Sequence, residues 1–149
     1  MKDKLKQFEP ILVRIDEQQF TIDPGELLKI DYNQIREHLL KYPGDFAWVG
    51  ANKEAISKEV SEAEFEVEMC YARLDSKYRA AKSTKGRDAD RDIKNSIILD
   101  SEYITAKRHL FNLEHTAGKV KAVLASLAKL DSVLIQLSTL YKQETQRSQ

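Results

Sequence analysis

Eight cations crowd residues 73–94 of a chain whose formal net charge is zero: Arg73, Lys77, Arg79, Lys82, Lys85, Arg87, Arg91 and Lys94. Tyr71 and Tyr78 are interleaved with the first of them. Cations neutralise phosphates and flat rings stack on unpaired bases, so this combination suits a single nucleic-acid strand. On a helical wheel Arg73 and Lys77 form one pair, Arg79 and Lys82 another, and the tyrosines lie between. A plainer reading competes with it. Asp75 and Arg79 have the spacing of an ordinary i,i+4 helix pair, and Tyr78 continues an apolar seam, which makes the cluster a solvated helix end.

Enzyme chemistry finds no comparable footing. Lys85-Gly86 lacks the preceding glycine and following hydroxyl of a phosphate-binding loop. His38, His109 and His115 have no carboxylate three residues earlier, so the paired-helix dinuclear metal motif is missing. Cys70 falls on an apolar seam and reads as core. Glu59, Glu62, Glu64, Glu66 and Glu68 spread around the solvent face of a helix without a histidine companion. The expectation is a non-enzymatic protein with no metal and no cofactor. No helix-turn-helix, zinc finger or basic zipper suggests sequence-specific duplex readout.

The whole chain bounds the setting. Its 149 residues, 42% hydrophobic and 32% charged, suit one helix-rich globular domain. Charge is distributed unevenly: residues 53–72 carry two basic and six acidic groups, and 73–100 carry eight and five. Cys70 alone offers no internal disulfide and fits a reducing cytosol. The basic start is followed by no apolar signal core, and no uninterrupted run of about 18 apolar residues is found. A soluble intracellular protein without a membrane span is expected.

The elements that must position the cations follow from periodicity. Residues 1–25 read as an extended arm, with β-prone stretches at Ile11–Ile15 and Phe20–Ile22 that form either a hairpin or an added edge strand. Asp23-Pro24-Gly25 reads as a turn. A helical domain then occupies 26–149. A short helix from Asp31 to Lys41 should stop before Pro43-Gly44, and Asp45 should cap a long helix reaching about residue 82. Ile56, Val60, Ala63, Val67, Cys70, Leu74 and Tyr78 form its heptad-like seam. Residues 83–91 read as a polar loop and Asp92–Leu99 as a short helix. Asp100 or Ser101 should cap a last long helix reaching about Glu144, with a fraying tail. Its seam is Tyr103, Ala106, Leu110, Leu113, Ala117, Val120, Leu124, Leu127, Leu130, Leu134, Leu137 and Tyr141. The expected fold is all-α, a long antiparallel helical hairpin with a short N-terminal helix, an extended arm and coiled-coil-like association. Two such helices leave Val123, Leu127, Val133 and Leu137 in need of partners, and with Leu130 and Leu134 these mark an oligomerisation surface. The alternative is a monomeric three-helix bundle closed by the short helix and the arm.

The stretch Ala72-Arg73-Leu74-Asp75, with Tyr78 just beyond, has a recognisable setting. Ile30-Asp31 opens a helix, a second long helix ends in the motif, a charged loop contains glycine, and a long helix closes the chain. From about residue 28 to 145 this resembles the UvsY-type family of phage recombination mediators. The resemblance implies all-α subunits in a homo-oligomeric ring, acting in the cytoplasm of a bacterial host. It implies partners too: single-stranded DNA, a single-strand-binding protein and the RecA-like recombinase that replaces it. The family's Lys-Ala-Arg-Leu stretch contributes to strand binding. Ala72, Arg73 and Leu74 match it, Tyr71 replaces its first cation, and Lys77, Arg79 and Lys82 would restore the charge. The arm has no counterpart. A second reading is a coiled-coil scaffold with protein partners only, whose basic hinge meets the Glu59–Glu68 face of a neighbouring subunit.

Overall fold

The computed structural model describes residues 9–15, 18–81 and 87–147, and 86% of these are helical. In chain order they form β1 (Ile11–Ile15), β2 (Gln18–Ile22), α1 (Pro24–Leu27), a 3₁₀ turn (Tyr32–Gln34), α2 (Ile35–Ala81), α3 (Arg87–Leu99) and α4 (Ser101–Arg147). The chain divides into two compact units. One comprises residues 1–55 and 116–149, the other Ile56–His115. Both α2 and α4 contribute a segment to each.

In the first unit the two open readings of the arm resolve to a hairpin. β1 pairs antiparallel with β2, Ile11 opposite Ile22 and Val13 opposite Phe20. Alternation puts Ile11, Val13 and Ile22 on the buried face, while Leu12 and Arg14 point outward. On the outer face the Arg14 guanidinium donates to Gln19 Oε1 at 3.0 Å. Asp23-Pro24-Gly25 is not a free turn but the start of α1. The Asp23 carboxylate accepts from the Gly25 and Glu26 amides, and Pro24 takes a first-turn position where no N–H is needed. Asp31 caps the 3₁₀ turn through the Asn33 amide, and its own N–H donates to His38 Nε2 at 2.9 Å.

The expected break at Pro43-Gly44 does not occur. α2 runs through both residues for 47 residues without interruption. An interior proline removes one helix hydrogen bond and costs about 3 kcal/mol. Pro43 lies on the exposed side, where water can serve the Leu39 carbonyl that it leaves unpaired. The helix is also tied down around it: the Tyr42 hydroxyl donates to the Leu127 carbonyl at 2.9 Å, and Val49 is fully buried. The Phe20 and Trp48 rings meet edge to face at 5.7 Å, which fastens β2 to α2.

The second unit keeps the seam read from the sequence. Ile56, Ala63, Val67, Cys70 and Leu74 are all buried. Ala63 and Val67 cluster with Leu110, while Cys70 and Leu74 cluster with Ile93 and Ile97 of α3. As the α2 numbers rise from 63 through 71 to 78, their partners fall from Leu110 through Tyr103 to Asp100.

Two further boundaries need correction. α3 begins at Arg87, so residues 87–91 are helix and not loop; Asp90 near its start suits the positive end of the helix dipole. α4 continues to Arg147, past the expected fraying at 145. A stretch of Ser101–Gln143 is, by length and composition alone, apolar enough to cross a membrane, with 17% of it buried.

Candidate nucleic-acid interface

At the C-terminal end of α2 the seam residues Cys70 and Leu74 pack against α3, Arg73 and Lys77 flank that seam, and Arg79 lies on the far side. Arg73, Lys77 and Arg79 accordingly point outward, with side chains 65%, 64% and 52% exposed. None of the three stands alone. Arg73 Nη2 is bonded to Glu102 Oε1 in the first turn of α4. Lys77 Nζ lies 3.9 Å from Asp100 Oδ2 and 5.4 Å from the Tyr78 ring centre. Arg79 donates to Asp75 at 2.7 Å and to Asp90 of α3 at 2.8 Å. The guanidinium is held even more firmly protonated than usual, first by its bond to Asp75 and then by its bond to Asp90.

The tyrosines are engaged too. Tyr71 packs edge to face on Tyr103 at 6.0 Å, and both lie partly buried against the Cys70–Ile97 cluster. The Tyr78 hydroxyl donates to Asp100 Oδ2 at 2.8 Å. That bond, then partial burial and the nearby negative charge, pushes the phenol's pKa above its usual 10. Each ring thus has one face or edge committed to the unit's own core.

Asp100 organises the site. Its Oδ1 accepts from the Glu102 amide at 2.9 Å and so caps α4, while Oδ2 serves Tyr78 and Lys77. The capping role is readable from the sequence. The anionic counterpart is not, because Asp90, Asp100 and Glu102 lie 11 to 29 residues away along the chain. Arg91 and Lys94 are exposed on α3. Lys82 and Lys85 lie outside the described residues, as does the side chain of Arg87.

The residues assigned to oligomerisation divide between interior and surface. Val123, Leu127 and Leu134 are buried at 6%, 0% and 1% exposure within the single chain. Leu130 and Leu137 are half-buried, and Val133 is exposed. The free stripe expected at Val123 and Leu127 is therefore not free. The two-helix reading left out the arm and α1, whose Ile11, Pro24 and Leu28 share a groove with Val123. A second, more polar groove of about 280 Å³ brings together Asp31, His38, Tyr42 and Asp45 beside Leu130 and Leu134. Burial, then the charge of Asp131, pushes the pKa of Tyr42 up. Among the described residues no group of three or more His, Cys, Asp or Glu side chains is arranged to hold a metal, and no polar or charged residue is buried.

Compared with known proteins, the chain matches no family model, no curated protein and no solved structure.

Proposed function

We propose that this protein is a non-enzymatic recombination mediator that assembles with copies of itself, binds single-stranded DNA and helps load a RecA-like recombinase in place of a resident single-strand-binding protein. The observation that supports the reading is the cluster of Arg73, Lys77 and Arg79. These cations sit on one exposed helix end, pre-positioned by carboxylates and not buried by them. The Arg73–Glu102 and Arg79–Asp90 pairs are exposed on both sides and contribute little to stability, so a phosphate chain can take over those cations. Release of counterions from the strand adds to the exchange. In this mechanism the long α2 and α4 form the antiparallel hairpin of each subunit, and repetition of a weak site along one strand supplies avidity. The work is energetic: the strand is held in a form the recombinase accepts while the resident protein is displaced.

A scaffold with protein partners only is the second reading, favoured by the engaged tyrosines and the carboxylate partners of Arg73, Lys77 and Arg79. Fluorescence anisotropy with a labelled oligonucleotide at two salt concentrations separates the two. Replacing Arg73 and Lys77 together by Ala should weaken binding severalfold and flatten the salt slope by roughly 0.7 per lost contact. Glu102→Gln should do the opposite and strengthen binding, because it frees Arg73 from its competitor. A wild-type protein without affinity for single strands, or a double variant with unchanged affinity and slope, would leave the scaffold reading in place.

A further inference from the structure

The outward faces of the second unit carry two apolar stripes that the hairpin does not use. On α2, Phe65 and Met69 are 63% and 56% exposed, on the side of the helix opposite the Ala63–Val67–Cys70 seam. Glu62 and Glu68 flank them, and of the residues from Ile56 to Ala72 one is basic and five are acidic. On α4, Ile104 and Phe111 are 40% and 66% exposed, again opposite the seam residues Ala106 and Leu110. Between Glu102 and Glu114 the only charges on α4 are Lys107 and Arg108, which border this second stripe. Among the described residues neither cation has a carboxylate partner, and neither has Glu68; Glu62 meets only its own helix neighbour Lys58 at 3.5 Å.

We propose that these two faces are the halves of one contact between copies of this chain, the acidic α2 face of one copy seated on the basic α4 face of the next. The charge complementarity selects this occupant: an apolar stripe edged with acids and one edged with bases occur on the same unit. The seams of α2 and α4 turn toward each other, so the two outer stripes face away from the unit in opposite directions. Such a contact is heterologous. It leaves an unused half at each end of any finite chain of copies, and so repeats into a closed ring or a filament. The inference deepens the assembly half of the proposed function. Its residues are distinct from the Arg73 cluster, and its readout needs no DNA, so either idea can fail without the other.

Sedimentation velocity at tens of micromolar tests it. Wild-type protein should run at a several-fold multiple of 17.1 kDa. A chain with Lys107→Glu and Arg108→Glu should fall toward the monomer mass, as should one with Glu62→Lys and Glu68→Lys. Combining all four changes in one chain restores opposite charges across the contact and should recover the wild-type mass. An equimolar mixture of the two reversed chains should recover it too. All four positions are solvent-exposed, so the fold should tolerate them, and circular dichroism checks this. A monomeric wild type overturns the proposal. Reversed chains that assemble like wild type also overturn it, and would move the contact elsewhere, such as the exposed Val133, Ile135 and Leu140 of α4.

Discussion

At the scale of single residues, Asp100 holds three roles: cap, phenol acceptor and lysine partner. Its effect on Tyr78 has a sign that can be followed. Folding raises the phenol's pKa, so the native state favours the neutral ring. That stabilisation is fully present below the ordinary value of 10 and is lost as pH climbs through the raised folded value. Ultraviolet titration should therefore show a tyrosine ionising late, and Tyr78→Phe should remove that late step. The urea midpoint of the variant should also fall less steeply as pH rises above about 10. Loss of amplitude from the ordinary phase near 10, with the late step intact, would mean that the Tyr78–Asp100 bond does not persist in solution. Tyr42 also ionises late through burial and Asp131, so the comparison with Tyr78→Phe is what isolates one ring.

At the scale of elements, the long helices were legible because their seams repeat with little error. Every α2 seam residue from Ile56 to Tyr78 is at least half-buried, and on α4 only Tyr141 stands clear at 63% exposure. The boundaries were less legible. A proline is a strong local stop signal, but tertiary anchors such as Tyr42 on Leu127 and the buried Val49 are non-local and overrule it. Pro43 then remains a net cost within α2. Pro43→Ala should stabilise the protein, by up to about 3 kcal/mol, read as a higher urea midpoint. A lower midpoint would show that the proline is needed where it is. The candidate site was half legible for a related reason. Clustered cations stand out in sequence, whereas the acids that neutralise them come from α3 and the start of α4, and only the folded chain brings the groups together. The same limit made Leu127 and Val123 look available to a partner, because nothing in a periodic pattern announces that Tyr42 will reach Leu127 or that Ile11 and Pro24 will line a groove with Val123.

At the scale of the whole molecule, apolar burial is concentrated in two places, Val13, Ile22, Val49 and Leu127 in one unit and Leu74, Cys70 and Ile97 in the other. Net charge near zero, with a pI of about 6.8, supplies little long-range repulsion between copies at neutral pH. Self-association is then limited mainly by local patches. Cys70 gives this molecule a built-in clock. It is the one thiol in the sequence and is 6% exposed in the α2–α3 cluster, so a thiol-specific dye can reach it only when that cluster opens. Labelling of native protein should be about a hundredfold slower than in denaturant, the factor for an opening cost of about 3 kcal/mol. Equal rates would show that the cluster is open on the timescale of the dye. Because the sulfur sits one turn from Arg73, an oligonucleotide that engages the basic end and steadies it should slow the clock, whereas one bound elsewhere should leave it running at its native pace.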